Sequence, residues 1–264
     1  MAEENENKGN SKKVLKTVAL IIAIIVLICS AVYIGYYIYN NYMAEKDYAD
    51  LTTTSAVATT AAPQLQENPI DFTSLQQQNN EIYGWIKIDD TEVDYPIVQS
   101  ATDDEFYLKH SAVDKQWVAS GAIYTEGCNN TDFSDPITVI YGHNGYKTTM
   151  FTTLHNFEKP DFFESHPYFY IYQPGRKLTY QVISAFKYDD RHIMNSYNFN
   201  SAEDLKSFQA TILNPESAVQ NVRNNLDVEI NENSKIVVLS TCITGQKSNR
   251  LLVCGVLVKD EKTN

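Results

Sequence analysis

Residues 18–32 contain no charged side chain and consist mostly of Val, Ile, Leu and Ala. An α-helix needs roughly 20 apolar residues to cross the hydrocarbon core of a bilayer. The apolar stretch reaches that length when it extends over residues 14–38, with the Lys16 side chain reaching back to the interface. The sequence therefore predicts a transmembrane helix over residues 14–42, preceded by a tail at residues 1–13.

The residues that flank this segment predict its orientation. Lysines precede it, at Lys8, Lys12, Lys13 and Lys16, and tyrosines crowd its far end, at Tyr33, Tyr36, Tyr37, Tyr39 and Tyr42. Basic residues favour the cytoplasmic side of a membrane, and tyrosines favour its interfaces. We therefore expect a single-pass protein of the cell membrane with a cytoplasmic N-terminus and an extracellular domain.

Two other interpretations fit this segment less well. A cleaved signal peptide has a short apolar core followed by a small-residue cleavage site, whereas a tyrosine-rich stretch follows here. Lipid attachment at Cys29 is disfavoured because the bulky Ile28 precedes it. We interpret Cys29 as an apolar side chain within the membrane segment.

The composition changes beyond the membrane segment. Residues 43–68 are rich in Thr and Ala and show no apolar period, which indicates a flexible extracellular linker. Residues 69–264 then suffice for one domain with its own core. The chain has a formal net charge of −12, with no run of Lys or Arg beyond residue 43, so nucleic acid is not an expected partner.

The apolar pattern of the outer domain predicts mainly β structure. Short strands are expected at 84–88, 93–98, 122–124, 137–141, 168–172, 178–188, 235–239 and 251–258. Helices are expected at 71–80, capped by Asp71, and at 201–213, capped by Ser201. Because the helices do not alternate with the strands, an eight-stranded β-barrel with a few short helices is favoured over a βαβ sheet.

The chemistry of this domain points to a thiol. Three cysteines follow the membrane segment, and an odd number leaves at least one unpaired unless chains cross-link. Cys254 lies within the last predicted strand, which is typical of a buried structural thiol, and Cys128 lies in a loop-like stretch. Cys242 instead follows an apolar strand, at a position where catalytic groups often lie.

A thiol nucleophile needs a partner that promotes the thiolate and protonates the leaving amine. His143, at the end of another apolar strand, suits that role, whereas the other histidines have polar or loop-like surroundings. Arg250 opens the strand after Cys242 and can stabilise an oxyanion at the same end of the sheet. The alternative is a membrane-tethered binding module in which Cys242 is a buried structural thiol.

Three short runs around these residues resemble the motifs of sortases, the membrane-anchored cysteine transpeptidases of Gram-positive bacteria. The runs are Tyr141-Gly142-His143-Asn144, Leu239-Ser240-Thr241-Cys242 and Arg250-Leu251-Leu252-Val253. Residues 82–86 and 94–99, the pair Met150-Phe151 and the helix at 201–213 are most similar to class B members. The resemblance extends over about residues 70–259. An L,D-transpeptidase is disfavoured because that family places its His and Cys close together in one run.

The resemblance implies a sortase-type barrel and a mechanism. Cys242 would attack the carbonyl after the Thr of a sorting motif and form a thioester. His143 would act as general acid and then as base, while Arg250 would position the substrate and stabilise the oxyanion. Ser240, Thr241 and Asn129 are expected to contact substrate, although Cys128 stands where class B members often have Arg. No cofactor and no metal are expected, since no acidic cluster matches the calcium site of class A.

The resemblance also implies partners. Substrates would be surface proteins whose sorting signals are similar to NPQTN, PPXTG or LPXTG. The acceptor would be an amine of the peptidoglycan precursor or cross-bridge. A pilin polymerase that joins subunits through Lys is the alternative within the same fold.

Overall fold

The computed structural model of the protein describes residues 2–53, 66–145 and 148–264. For residues 2–15 and 52–53 it describes the backbone only. Helix α1 (Ala2–Thr53) contains an apolar section whose Ile, Leu and Val side chains are exposed on all sides. Among the described residues, this helix is long and apolar enough to cross a membrane. The prediction of one N-terminal apolar helix is thus confirmed.

The chain divides into two compact units, residues 1–43 and residues 44–264. The end of α1 belongs to the second unit, where Ala44 and Tyr48 are buried. This part of the structure differs from the predicted linker at 43–68, because buried side chains fix the helix as far as Thr53. The second unit therefore starts before residue 69, and the linker prediction for residues 54–65 lies outside the described residues.

The second unit is built from short strands and a few helices. Its strands are β1 (Ile82–Lys87), β2 (Asp94–Val98), β3 (Ile123–Tyr124), β4 (Ile137–Tyr141), β5 (Tyr168–Gln173), β6 (Arg176–Asp189), β7 (Gln220–Val222), β8 (Ile236–Ile243) and β9 (Gln246–Lys262). Its helices are α2 (Phe72–Gln78), α3 (Pro160–Ser165), α4 (Ile193–Ser196) and α5 (Ala202–Leu213), with 3-10 helices at Phe106–Leu108 and Thr152–Glu158.

Eight of these strands close into a barrel. Hydrogen bonding follows the order β5-β1-β2-β3-β4-β8-β9-β6, and β6 pairs with β5 to complete the ring. The pairs β2–β3 and β4–β8 are parallel, and the other neighbours are antiparallel. Strand β7 pairs with the second half of β6, beside the ring. The predicted eight-stranded barrel with few helices is confirmed.

Burial on both faces explains the apolar run of β8. Val237 and Leu239 face the larger core, which the barrel encloses, whereas Ile236 and Val238 face a second apolar cluster. Helix α5 covers that second cluster, to which it contributes Leu205, Phe208 and Ile212. A strand buried on both sides carries no alternation of polar and apolar residues, and β8 is of this kind.

The predicted helix caps are present. The Asp71 carboxylate accepts a hydrogen bond from the Ser74 amide at 3.0 Å, at the start of α2. The Ser201 hydroxyl accepts one from the Asp204 amide at 3.5 Å, at the start of α5. Strands β6 and β9 are longer than predicted, at 14 and 17 residues, because they pair with each other along most of their length.

Candidate active site

Three strands bring the candidate residues to one edge of the barrel. Strands β4 and β8 run parallel and pair from Ile137 with Ile236 to Tyr141 with Ser240. Parallel strands end at the same edge of a sheet, so the residues that follow Tyr141 and Ser240 are neighbours. Strand β9 returns antiparallel to β8, which makes Cys242 and Arg250 direct register partners.

These strand ends form one wall of a cleft of about 260 Å³. The connection between β6 and α4 also lines this cleft. The cleft is lined by residues that include Tyr124, Glu126, Tyr141, His143, His192, Ser240, Thr241, Cys242 and Arg250. Five of the six candidate residues, all except Asn129, therefore share this cleft.

The backbone around His143 is fixed from both sides. The carbonyl of His143 accepts a hydrogen bond from the Phe151 amide at 3.0 Å. A Cβ at the preceding Gly142 would lie 2.5 Å from Ile123 Cδ1 and 2.6 Å from Phe151 Cδ2, so only glycine fits this close approach. The position of the imidazole is consequently set by the packing of the β4 end.

The imidazole of His143 lies 2.7 Å from the carbonyl oxygen of Leu108 through its Nε2 atom. A carbonyl can only accept, so Nε2 carries the proton and donates. The other ring nitrogen, Nδ1, is then the unprotonated one in the neutral side chain. This tautomer leaves Nδ1 as the atom that can exchange a proton with a reacting group.

The cysteines of the second unit differ sharply in their surroundings. Cys242 is exposed and lines the cleft. Cys254 is fully buried among the apolar side chains beneath α5, and burial raises the pKa of its thiol, as a structural role requires. Cys128 is exposed, but partial burial and the nearby Glu126 and Asp104 carboxylates raise the pKa of its thiol to about 11.

Arg250 lies beside Cys242, at the start of the cleft-forming part of β9. Its Nη1 atom donates to the carbonyl oxygens of Lys247 and Asn249, both at 3.1 Å. These contacts hold the guanidinium at the turn between β8 and β9. Arg250 and Cys242 line the same cleft, and the guanidinium brings a permanent positive charge to it.

Asn129 lies elsewhere. It is buried, and its Nδ2 atom donates to Asp135 Oδ2 at 3.1 Å and to the Ile137 carbonyl at 2.8 Å. Its Oδ1 atom accepts from the Val139 amide at 3.0 Å. The side chain thus binds the β3–β4 connection to β4, and the structure does not bring it to the cleft. Backbone groups of β4 occupy this amide, and the substrate contact expected of Asn129 stays a prediction.

Within the part of the chain that the structure describes, the hydroxyls of Thr241 and Tyr141 at the cleft are buried and have no hydrogen-bond partner. Thr241 is an expected substrate contact, whereas Tyr141 was not singled out from the sequence. Tyr141 ends β4 two residues before His143, and this closeness along the chain is the sequence signal for it. Ser240 is also buried, and its carbonyl accepts from the Gly142 amide at 3.2 Å.

A histidine–carboxylate pair spans the cleft rim. The Nε2 atom of His192 donates to Glu126 Oε1 at 2.8 Å, while its Nδ1 atom accepts from the Asn195 amide at the start of α4. Burial raises the pKa of the Glu126 carboxyl, and the hydrogen bond from His192 opposes that rise. The sequence suggested only a loop-like histidine at 192, because its partner is distant along the chain. Among the described residues, no group of three His, Cys, Asp or Glu side chains could hold a metal ion.

A closed eight-stranded barrel brings a Cys, a His and an Arg into one cleft, and these are side chains that a cysteine transpeptidase requires. The family model described as Sortase domain matches residues 86–258. The chain belongs to the sortase family, whose members act on sorting-signal substrates and cell-wall precursors.

The similar proteins are class B members. Sortase B of Listeria monocytogenes is 28% identical over 191 residues, which cover 71% of this chain and 74% of the relative. The crystal structure of sortase B from B. anthracis is 27% identical, with a TM-score of 0.68, covering 84% of this chain and 99% of that one. A Streptococcus pyogenes class B sortase involved in pilus biogenesis is 27% identical, with a TM-score of 0.60, covering 72% and 98%. These similarities support class B, a group of cysteine transpeptidases that anchor proteins to the cell wall.

Proposed function

We propose that Cys242 is the nucleophile of this transpeptidase, with His143 as its acid–base partner and Arg250 as the oxyanion-stabilising group. The observation that carries the proposal is the register pairing of Cys242 with Arg250 next to the parallel end of β4, which leads into His143. All three side chains line the same cleft.

The reaction follows from the chemistry of these groups. The Cys242 thiolate attacks the carbonyl carbon after the motif Thr, and the Arg250 guanidinium stabilises the oxygen that becomes negative. The C–N bond breaks as protonated His143 gives its Nδ1 proton to the leaving amine. The acceptor amine then attacks the thioester, His143 takes its proton, and the thiolate leaves. No cofactor takes part in either half of the reaction.

We propose that the substrates are surface proteins with a sorting signal similar to NPQTN, PPXTG or LPXTG, cleaved after Thr. Ser240 and Thr241 line the cleft beside Cys242, which supports their role as contacts for such a peptide. The acceptor is an amine of the peptidoglycan precursor or cross-bridge. The net charge of −12 attracts a positively charged amine toward the protein.

We propose further that residues 14–42 anchor the protein in the cell membrane, with residues 1–13 in the cytoplasm and the barrel outside. The exposed apolar side chains of α1 support this anchoring, because a helix that is apolar all round is stable in lipid. The lysines at its N-terminal side support the orientation. An anchored enzyme would meet secreted substrates and lipid-linked precursors at one surface.

The experiment uses the detergent-solubilised chain with peptides that carry each of the three motifs, with and without an amine acceptor. Mass spectrometry identifies the products for the wild type and for Cys242→Ala, His143→Ala and Arg250→Ala. Cleavage after Thr with transfer to the amine, lost in Cys242→Ala, is the expected result. Cleavage that survives in Cys242→Ala would exclude the assigned nucleophile.

A pilin polymerase is the second candidate, which the similarity to the S. pyogenes enzyme of pilus biogenesis favours. It differs from the first only in its acceptor. A peptide with an internal Lys and a peptide with an N-terminal glycine amine, offered in equal amounts, would compete for the thioester. Preferential transfer to the Lys side chain would support this second function.

A further inference from the structure

The carbonyl of Cys242 lies on an edge of β8 that has lost its strand partner. Strand β4 pairs with β8 as far as Ser240, whose carbonyl accepts from the Gly142 amide at 3.2 Å. Alternate residues of a strand direct their carbonyls to the same side, so the carbonyl of Cys242 points toward the same neighbour. Strand β4 ends at Tyr141, before it can supply the next amide.

Two side chains take the place of that missing amide. The Nδ2 atom of Asn144 lies 3.0 Å from the carbonyl oxygen of Cys242, and Nε2 of His155 lies 3.1 Å from it. Asn144 also reaches Thr244 Oγ1 at 3.0 Å, in the turn between β8 and β9. The carbonyl of the candidate nucleophile is thus held by groups from the loop after β4 and from the 3-10 helix at Thr152–Glu158.

A carboxylate orients the imidazole of His155. Its Nδ1 atom lies 3.1 Å from Glu158 Oε1, three residues along the 3-10 helix. Side chains at positions i and i+3 of a 3-10 helix eclipse each other, which explains this contact. A carboxylate only accepts, so Nδ1 carries a proton and Nε2 is left to face Cys242 and Asn144.

The hydrogen bonds can be satisfied in two ways. When His155 is neutral, Nε2 accepts from the Asn144 amide at 3.1 Å, and Asn144 holds the carbonyl of Cys242 with its other proton. When His155 is protonated, Nε2 donates to that carbonyl itself, and Asn144 Nδ2 donates to Thr244 Oγ1. In both states the cluster ties the loop that carries His143 to the backbone of Cys242.

We propose that Asn144, His155 and Glu158 are positioning residues for the transpeptidase reaction, and this inference rests on the proposed role of Cys242. They extend the β4–β8 ladder by one rung with side-chain donors and thereby fix the peptide plane that follows Cys242. That plane sets the direction of the Cα–Cβ bond and so the position of the thiol relative to His143. A shift of about 1 Å in a reacting group can cost about 100-fold in rate.

The test uses the full chain in detergent, a motif peptide that it cleaves, and an amine acceptor. The variants are His155→Phe, which removes the hydrogen bonds of the imidazole to Asn144 and to the carbonyl of Cys242, and His155→Gln, whose side-chain amide can still bond both groups. His166→Phe is the matched control, since His166 also pairs with a carboxylate, Asp90 Oδ2 at 3.2 Å, and lies outside the cleft. For each variant, kcat, KM and the thermal unfolding temperature are measured.

We expect kcat of His155→Phe to fall about 10-fold with KM within about 2-fold of the wild type, as the loss of one hydrogen bond that positions a reacting group predicts. His155→Gln should recover most of kcat, and His166→Phe should keep wild-type kcat. Equal kcat in His155→Phe and His166→Phe, or an effect of His155→Phe on KM alone, would overturn the inference.

A second variant keeps the test decisive if His155→Phe fails to fold. Asn144→Ala removes the other donor to the same carbonyl, so kcat should again fall about 10-fold with KM within about 2-fold of the wild type. An unchanged kcat in Asn144→Ala would overturn the inference. Failure of the proposed function is distinguishable, because transfer would then persist in Cys242→Ala whatever the His155 variants do.

Discussion

The end of helix α1 offers a direct test of whether residues from Ala44 onward belong to the barrel domain. Tyr48 is buried in the second unit, and its ring meets that of Tyr95 edge-on at a centroid distance of 5.4 Å. Its hydroxyl accepts a hydrogen bond from the Ala112 amide at 3.2 Å. We predict that Tyr48→Phe destabilises the domain although it removes a single oxygen atom.

The magnitude follows from the amide that is left behind. Ala112 is fully buried, so its N–H loses its partner in a place that water does not reach. An unsatisfied buried donor costs about 1–3 kcal/mol. For a domain of this size, each 1 kcal/mol lowers the unfolding temperature by about 2–4 °C, which gives about 4–8 °C for a loss of about 2 kcal/mol. Tyr48→Ala also removes the buried ring and should cost about 3–5 kcal/mol.

The assay is thermal unfolding of the full chain in detergent, followed by near-ultraviolet circular dichroism. Tyr42→Phe is the matched control, since this tyrosine lies on the same helix but is 63% exposed. Its unfolding temperature should equal that of the wild type. If Tyr48→Phe and Tyr48→Ala also unfold at the wild-type temperature, the helix end does not pack on the domain and the reasoning is refuted.

Two further predictions concern the cleft, and a third concerns the exposed thiol of Cys128. Gly142→Ala forces a methyl group to within 2.6 Å of Phe151 Cδ2. It should lower the free energy of unfolding by about 1–3 kcal/mol, which chemical denaturation measures. It should also lower kcat, which peptide-transfer kinetics measure. Burial raises the pKa of the Glu126 carboxyl above its value of 4.5 in the unfolded chain. Between these two pKa values the folded protein keeps the proton that the unfolded chain has released. The contribution of Glu126 to the free energy of unfolding therefore falls as pH rises through this range. The unfolding temperature of Glu126→Gln minus that of the wild type should therefore increase from about pH 4 to about pH 7, and a constant difference would contradict the burial argument. The pKa of the Cys128 thiol is raised to about 11, so little of it is thiolate at about pH 8. Its reaction with iodoacetamide should therefore be far slower than that of free cysteine. Mass spectrometry would follow the labelling in a protein of residues 44–264 that carries Cys242→Ala.

Local patterns in the sequence determined the elements of this protein. The uncharged run at 18–32 predicts an apolar helix because length and composition alone decide whether a segment suits lipid. The caps at Asp71 and Ser201 are equally local, since each side chain bonds an amide three residues away. The placement of Cys242 and His143 near the ends of β8 and β4 followed from apolar runs that stop beside them. Arg250 was expected to open its strand, but β9 already begins at Gln246 because its pairing with β8 and β6 extends beyond the apolar run.

Only the tertiary structure decided which side chains meet across the barrel. The contact between Asn144 and the carbonyl of Cys242 joins residues 98 apart in sequence, and the pair of His192 with Glu126 joins residues 66 apart. Tertiary structure likewise decided the hydrogen bonds of Asn129. The sequence predicts that it contacts substrate, and in the structure its side-chain amide bonds the backbone of β4. A polar side chain forms hydrogen bonds with the donors and acceptors that the closed barrel brings near it. Strand pairing determines which donors and acceptors these are, and no local sequence pattern encodes that pairing.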